Sequence, residues 1–506
     1  MISNRIKNSR RNVLGAIVNK GIAIVFPFVI RTVLIYKLGS EYVGLNSLFT
    51  SILQILSLTE LGLGSAITYS MYKPIDDGDI GTVCAILNLY KKLYRFIGIA
   101  ILAIGCILIP FLPFLISGDV PTDINLYVLY VIYLVNTSIS YFLFAYKSSI
   151  LNAYQRSDIE SYIITIVNVA MYAIQISVLF AFSNYYIYII FLPLSTILIN
   201  IIRSLVVKKK YPEIIAYGEV SSDLKKDIYS RVGALIGHQL SGTVNCSLDN
   251  IVISAFLGLL MVARYGNYYY VVSALAGILQ VVFASFTPSI GNSLLSNDNE
   301  RIEKNFYDLF YINMWIVVWI CVCMACLYQP FILLWVGDDN LFPIQLMLIF
   351  VLYFFSWQSR RTVIAYKNAA GMWKDDFWKP YVSVFLNLIL NFVLVQFIGL
   401  YGVMLSTVFV YLFIEGPWET IVFFKKRMNK KPVVYYAKLI AFTILGLAIG
   451  TGSFFLCNLL PFVGLGNLAI RAAFLLFVPN FLWVASTFWT SGFKRSLTII
   501  GLRKEQ

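Results

Sequence analysis

The sequence predicts an all-α, polytopic membrane protein with fourteen transmembrane helices. Of its 506 residues, 59% are hydrophobic and only 13% are charged, whereas soluble domains contain roughly 45–50% apolar and 25% charged residues. The mean hydropathy of +0.78 and the presence of fourteen separate apolar segments indicate the same fold class. Because roughly 20 residues cross a bilayer, these segments leave no connection long enough for a folded soluble domain.

Each predicted helix is an apolar run bounded by charged residues or by Gly and Pro. The first run follows four cations within residues 5–11 and continues through Ile30 without a small-residue cleavage site, so we interpret it as a retained first span. The spans are predicted at residues 12–36, 42–71, 96–116, 125–146, 160–182, 186–206, 232–257, 264–289, 306–329, 342–359, 380–399, 401–424, 436–458 and 467–490.

The distribution of Lys and Arg predicts the orientation of these spans. Alternate connections and both tails hold most of the 39 cations, while the opposite connections, such as 118–125 and 461–466, contain none. Since short cytoplasmic loops retain Lys and Arg, we expect both termini in the cytoplasm. The formal charge of +14 is then a topology signal, and it does not indicate nucleic-acid binding.

Three short matches, each separated by about 218 residues, predict an internal repeat. They pair residues 12–20 with 230–238, 37–39 with 256–258, and 146–153 with 366–369. We therefore expect two pseudo-symmetric six-helix bundles around a central cavity. The predicted domains are an N-terminal bundle at 1–206, a basic cytoplasmic linker at 207–231, a C-terminal bundle at 232–424, and two additional helices with a cytoplasmic tail at 425–506.

The sequence favours no catalytic or cofactor chemistry. It lacks a phosphate-binding loop of the Gly-x-x-x-x-Gly-Lys-Ser/Thr type, and its one histidine, His238, excludes His-rich metal sites. Cys321, Cys323 and Cys326 point in different directions on a helix, so we interpret them as packing residues. No metal, no cofactor and no enzymatic activity are predicted.

Ionisable residues inside apolar spans are the candidate functional residues, because burying a charge in lipid is costly unless it faces a partner or an aqueous cavity. The repeat aligns Lys20 with His238 and brings Arg31 opposite the neighbourhood of Asp249. Lys20, Arg31 and His238 are therefore predicted to form a cationic cavity that binds an anionic substrate, the alternatives being structural ion pairs or, for His238, a satisfied polar contact.

Other charged residues have two interpretations each. Glu60 is either a coupling site for an ion or proton or a structural partner of Lys20, and Asp249 is a candidate outer gate paired with Arg31. A second cluster, at the cytoplasmic end of the tenth span, is either a topology signal or an entry vestibule for an acidic headgroup. It consists of Arg360, Arg361 and Lys367.

The chain resembles the Wzx-type polysaccharide flippases of the multidrug/oligosaccharidyl-lipid/polysaccharide (MOP) exporter superfamily. The resemblance extends over nearly the whole length, and three stretches carry it: Tyr36-Lys-Leu-Gly-Ser-Glu-Tyr-Val-Gly-Leu-Asn46, Leu58-Thr-Glu-Leu-Gly-Leu-Gly-Ser65, and Asp249-Asn-Ile-Val-Ile-Ser-Ala-Phe-Leu-Gly258. Members that handle peptidoglycan precursors resemble it less, since the first bundle here is less rich in arginine.

The resemblance implies that the protein moves a polyprenyl-pyrophosphate-linked oligosaccharide from the cytoplasmic to the outer leaflet by alternating access, for synthesis of a capsule, O-antigen or exopolysaccharide. It also implies a location in the cytoplasmic membrane of a bacterial cell. Membrane lipids, a polysaccharide polymerase and glycosyltransferases are the partners that it implies. The alternatives are an ion-coupled exporter of drugs or organic cations with the same fold, and a polytopic polysaccharide polymerase. The excess of intramembrane cations favours an anionic cargo over an organic cation.

Overall fold

The computed structural model describes residues 2–60, 62–295, 298–372, 374–459 and 464–499, and these residues contain α-helices and no β-strand. Every predicted span overlaps a helix or a broken helix. The chain forms two compact units, Met1–Ala263 and Arg264–Gln506, called here the first and the second unit. The predicted domain boundaries and the predicted pseudo-symmetry stay predictions.

The first unit contains ten α-helices among its described residues. They are α1 (Ile2–Lys37), α2 (Ser40–Leu56), α3 (Leu63–Asp76), α4 (Ile80–Leu108), α5 (Leu126–Phe142), α6 (Ser148–Ala153), α7 (Ser157–Phe182), α8 (Tyr185–Ile189), α9 (Phe191–Lys210) and α10 (Ser222–Leu257). The next helix, α11 (Leu259–Leu295), crosses the boundary between the units.

Two predicted spans of the first unit are broken helices. The span expected at 42–71 consists of α2, a 3-10 turn at Ser57–Glu60 and α3, which begins after Gly62 with a φ of 94°. Glycine adopts this left-handed conformation without the steric cost that a Cβ brings. In the span expected at 125–146, the segments Leu126–Phe142 and Ala145–Ala153 meet at a bend of 50°.

Packing in the first unit joins these pieces into one core. Helix α1 packs along α7, and α3 packs against both α4 and α6. In this core Phe49 packs against Tyr130 and Tyr133, and the centroid of its ring lies 5.5 Å from the centroid of each tyrosine ring. Helices α7 and α9 are also joined by an ion pair between Glu160 and Arg203, and the side chain of Arg203 is 9% exposed.

The second unit surrounds the long helix α12. Its helices in the described residues are α12 (Asn299–Val336), α13 (Ile344–Gln358), α14 (Arg361–Ala369), α15 (Lys379–Ile398), α16 (Leu400–Phe409), α17 (Gly416–Phe423), α18 (Val433–Asn458), α19 (Leu465–Thr487) and α20 (Ser491–Ile499). A π-helical turn at Val410–Glu415 connects α16 to α17. Helix α12 contacts α13, α18, α19 and α20.

Polar and aromatic contacts join α19 to α12. The Trp483 indole donates a hydrogen bond of 3.0 Å to the Tyr311 hydroxyl, which lies 2.6 Å from the Thr487 hydroxyl. Phe442 of α18 packs on both aromatic rings. The last two predicted spans are therefore packed on the unit and share its core.

By length and hydropathy, ten helices in the described part of the chain can cross a membrane, and the bent pair Leu126–Phe142 and Ala145–Ala153 would be an eleventh. Helices α2 and α13 have 17 and 15 residues, so they are shorter than each of these ten helices and are not counted among them. The protein is thus a multi-pass membrane protein. The count of fourteen spans and the cytoplasmic position of the termini stay predictions.

Removal of the side-chain cap of α5 should lower stability modestly. The Asn125 carboxamide oxygen accepts hydrogen bonds from the backbone N–H groups of Tyr127 and Val128, at 3.1 and 3.2 Å. For Asn125→Ala we expect a loss of about 1 kcal/mol, measured as a fall of about 2 °C in the unfolding midpoint in detergent. Thr122→Ala in the same loop is the control, and an equal midpoint for both variants would contradict the capping role.

Candidate functional site

The two predicted cations of α1 lie on one face of this helix but far apart along it. Lys20 and Arg31 are both half-buried. Eleven residues of α-helix correspond to about three turns and about 16 Å of rise, so the two side chains point in nearly the same direction. One pyrophosphate group is too small to touch both, and the pair is better described as two successive positions along the helix.

Arg31 contacts the backbone of the first turns of α11. Its Nη2 donates a hydrogen bond of 3.0 Å to the Ala263 carbonyl oxygen. A guanidinium has five N–H donors in a planar fork, so Arg31 can bind several acceptors at once. The predicted roles of Lys20 and Arg31 in substrate binding stay predictions.

The predicted gate residue Asp249 is fully buried on α10. Its neighbours on α10 bind α2: the Asn250 amide donates to the Ser51 hydroxyl at 2.9 Å, and the Ser247 hydroxyl donates to Gln54 at 3.3 Å. The side chains of Glu60 and His238 lie outside the part of the chain that the structure describes. The gate and coupling roles stay predictions.

The predicted vestibule cluster of the second unit is a buried network of charges. Arg360 is 6% exposed, and its Nη1 lies 2.8 Å from a Glu415 oxygen and 3.2 Å from a Glu419 oxygen. Its guanidinium carbon also lies 4.8 Å from the centre of the Tyr411 ring. The Ser383 hydroxyl donates a hydrogen bond of 2.5 Å to the other oxygen of Glu415.

The same network extends to the remaining charges. Lys367 forms an ion pair with Asp376, and Lys379 forms one with Glu419. Lys379 also lies 3.9 Å from Asp376. Three buried cations therefore face three buried carboxylates, which is the condition under which charges are tolerated in a low-dielectric interior.

The pKa values of the neighbouring Arg360 and Arg361 are shifted in opposite directions. Burial opposes the charge of Arg360, but Glu419 and Glu415 raise the pKa of Arg360 above its ordinary value. Burial and the neighbouring Arg360 lower the pKa of Arg361 to about 10, so Arg361 is charged at neutral pH. Its Nε donates to the Gln358 side chain at 2.7 Å. Because Arg360 and Lys367 are bound to carboxylates, this arrangement favours a structural role for both, and a vestibule role stays a prediction.

Sequence reasoning missed four members of this network. Glu415 and Glu419 lie one helical turn apart inside a predicted span, which is the signal that could have revealed them. Asp376 and Lys379 lie in a predicted loop, where charged residues are common. Which of these charges form ion pairs depends on the fold and cannot be predicted from the sequence alone.

The first unit contains adjoining cavities beside the broken helices. A cavity of about 620 Å³ lies between α3, α4 and α6 and is lined by tyrosine, serine, threonine and asparagine side chains. A neighbouring cavity of about 500 Å³ shares Tyr72 with it and is also lined by Lys73 and Asp76.

The second unit contains an apolar groove of about 680 Å³ between α12, α13 and α18. Only three of its lining residues are polar, namely Thr443, Thr451 and Asn458. Thr443 and Asn458 are 15 residues apart on α18, so the groove follows this helix for about 22 Å.

Solved structures share this architecture at low sequence identity. The inward-facing conformation of a multidrug resistance MATE family transporter of the MOP superfamily matches with a TM-score of 0.64 and 14% identity, over 82% of this chain and 98% of the transporter. Lipid II flippase MurJ in an inward closed conformation matches with a TM-score of 0.65 and 16% identity, over 95% of this chain and 98% of the flippase. This chain has the MOP transporter fold.

A third structure, the Vibrio cholerae MATE transporter VcmN, matches the MOP fold of this chain with a TM-score of 0.58, at 14% identity over 85% of this chain and 98% of VcmN. No family model and no curated protein matches the sequence. The expected superfamily fold is thus confirmed at the level of structure, and these neighbours are transporters and a flippase.

Loss of one carboxylate from the buried network should be strongly destabilising. Glu419→Ala leaves Arg360 and Lys379 with fewer compensating charges in the interior, and breaking such a pair costs about 3–5 kcal/mol. We expect the unfolding midpoint in detergent to fall by about 6 °C or more.

The matched control is Asp375→Ala, which removes an ion pair with Lys426, whose side chain is 55% exposed. Exposed pairs contribute about 0–1 kcal/mol, so this midpoint should change little. Equal midpoints for the two variants would show that the network contributes nothing beyond a surface pair.

Proposed function

We propose that this protein is a lipid-linked oligosaccharide flippase of the Wzx type in the bacterial cytoplasmic membrane. It moves a polyprenyl-pyrophosphate-linked glycan repeat unit from the cytoplasmic to the outer leaflet by alternating access, for cell-surface polysaccharide synthesis. Its partners are then the lipid-linked oligosaccharide, the surrounding membrane lipids, and the polymerase and glycosyltransferases of the same pathway.

The observation that carries this proposal is the apolar groove of the second unit. A small soluble substrate needs no such surface, whereas a polyprenyl chain needs an apolar path while its headgroup crosses the bilayer. The groove follows α18 for about 22 Å, which is most of a hydrocarbon core of about 30 Å. Its lining includes Phe355, Phe454 and Phe455.

The extent of the structural matches differs between the two kinds of neighbour. The MATE structures match over 82–88% of this chain, whereas MurJ matches over 95%. The flippase therefore shares more of this chain than the MATE transporters do.

The cations of α1 supply the electrostatic part of the proposal. Lys20 and Arg31 lie on one helix face, where positive charge attracts the pyrophosphate. Their separation of about 16 Å suits successive contacts during transport. Arginine can bind a phosphate with two parallel hydrogen bonds, and lysine acts as a point charge.

A multidrug exporter is the second candidate, favoured by the likeness to the inward-facing MATE transporter at a TM-score of 0.64. The two candidates differ in cargo. A flippase moves an anionic lipid, whereas an exporter of organic cations moves small soluble molecules in exchange for a counter-ion.

Removal of both α1 cations should abolish flipping. We would reconstitute the protein in liposomes containing an undecaprenyl-pyrophosphate-linked oligosaccharide and measure its movement to the opposite leaflet. The double variant Lys20→Ala/Arg31→Ala should lose this activity, because neither α1 cation then attracts the pyrophosphate. Lys37→Ala, which removes an exposed cation from the end of the same helix, is the control.

Normal flipping by the double variant would contradict the anion site. An absence of flipping with several glycans, together with counter-ion-dependent movement of small organic cations, would instead support the multidrug exporter.

Filling the groove should slow the movement of long-chain lipids. Ala325 lines the groove and is half-buried, so Ala325→Phe narrows the groove without entering the buried core. We expect the initial flipping rate to fall about tenfold for an undecaprenyl carrier and less for a carrier with a short prenyl chain. Ala441→Phe, at an exposed position of α18 outside the groove, is the control. Equal rates for the two variants would exclude the groove as the lipid path.

A further inference from the structure

The cavity of about 620 Å³ in the first unit has the chemistry of a saccharide-binding site. We propose that it binds uncharged sugar residues of the transported oligosaccharide, separately from the contacts made by the pyrophosphate and the lipid. This inference rests on the proposed function. It adds a subsite for the glycan and a preference for its neutral, hydroxyl-bearing part.

Four tyrosines give the cavity both apolar faces and hydroxyl groups. Tyr69 and Tyr72 of α3 are 57% and 44% exposed, and their ring centroids are 6.1 Å apart. Tyr90 and Tyr94 of α4 lie deeper, with a hydrogen bond of 2.8 Å between their hydroxyls. An amphipathic ring of this kind can pack on the apolar face of a sugar while its hydroxyl bonds to a sugar hydroxyl.

Small polar side chains line the rest of the cavity. Three of them, Ser148, Ser149 and Asn152, lie on α6. The other two, Ser65 and Thr68, lie on α3. The Ser149 hydroxyl donates to the Tyr146 carbonyl oxygen at 2.8 Å, so its oxygen remains an acceptor. An asparagine amide supplies donors and an acceptor together. Sugar hydroxyls, which also donate and accept, match this mixed set of groups.

The lining side chains determine the class of ligand. Among the described residues that line this cavity there is no Asp, Glu, Lys or Arg. Two arginines lie beside it, and each is paired with a carboxylate: the Arg231 guanidinium lies 4.6 Å from the centre of the Tyr69 ring, and Arg203 lines a neighbouring cavity of about 290 Å³. The other neighbouring cavity has Lys73 and Asp76 together, one charge of each sign. An organic cation or a phosphate would therefore find no countercharge in the lining, while an uncharged sugar needs none.

The backbone of the broken helix gives the cavity its shape. Gly62 and Gly64 lie at the start of α3, where the break occurs. A Cβ at Gly64 would lie 3.0 Å from the Tyr90 hydroxyl oxygen, so the missing side chain lets this hydroxyl approach α3. The volume falls within the range of about 300–1,000 Å³ found for small-molecule pockets, enough for a short oligosaccharide.

Transport kinetics test this subsite. For Tyr72→Leu and Asn152→Ala, both at partly exposed positions, we expect about a tenfold rise in the lipid-oligosaccharide concentration that gives half-maximal flipping, with the maximal rate retained. Tyr127→Leu removes a tyrosine that is 45% exposed outside the cavity and is the control. Unchanged half-saturation in both cavity variants, with normal flipping by the unmodified protein, would overturn the subsite and leave the proposed function standing.

A labelling experiment measures binding without transport. Ser65, an exposed lining residue, is changed to cysteine in a chain that carries Cys106→Ser, and its reaction with a maleimide is followed. The free oligosaccharide repeat, released from its lipid by mild acid, should slow the reaction, whereas sugar-free undecaprenyl pyrophosphate should not. Equal protection by the sugar-free lipid would overturn the inference. Protection by the sugar with no flipping by any variant would support the sugar site and contradict the proposed function.

Discussion

A bilayer offers no hydrogen-bonding partners to the polypeptide backbone, and this constraint governs where the helices of the first unit can break. A helix can stop within the membrane only where packed protein or a polar cavity replaces the missing partners. The break between α2 and α3 at Gly62 lies beside the tyrosine-lined cavity. The bend before Ala145–Ala153 brings α6 to the same cavity.

The second unit meets a related constraint on charge by pairing. Arg360, Glu415 and Glu419 are all nearly inaccessible to solvent, and each would be costly to bury alone. Together with the neighbouring lysines and Asp376 they form a neutral group that joins α14, α15 and α17. Among its described residues the first unit has few buried ion pairs of this kind. The walls of its cavity carry the hydroxyl groups of Ser, Thr and Tyr side chains instead. The two units thus have different polar interiors.

Apolar runs and the charges that bound them predicted the positions of the helices, because the tendency of a segment to enter the membrane depends on its own residues. The breaks were harder to predict, since the left-handed turn at Gly62 depends on the packing of α3 against α4 and α6. Arg31 was recognised as a candidate, but its bond to the Ala263 carbonyl depends on a contact 232 residues away. Glu419 was missed for the same reason, since its partners come from distant segments.

The π-helical turn at Val410–Glu415 determines where the charge network tolerates a change in chain length. Such a turn contains one residue more than an α-helical turn, and the extra residue is accommodated within the turn. Deleting one residue from it would restore a continuous α-helix and leave Glu419 facing Arg360 and Lys379. Deleting a residue of α17 before Glu419 would instead rotate this carboxylate about 100° away from Glu415. Relatives that keep the network should therefore tolerate a one-residue gap within the turn, but none between Glu415 and Glu419.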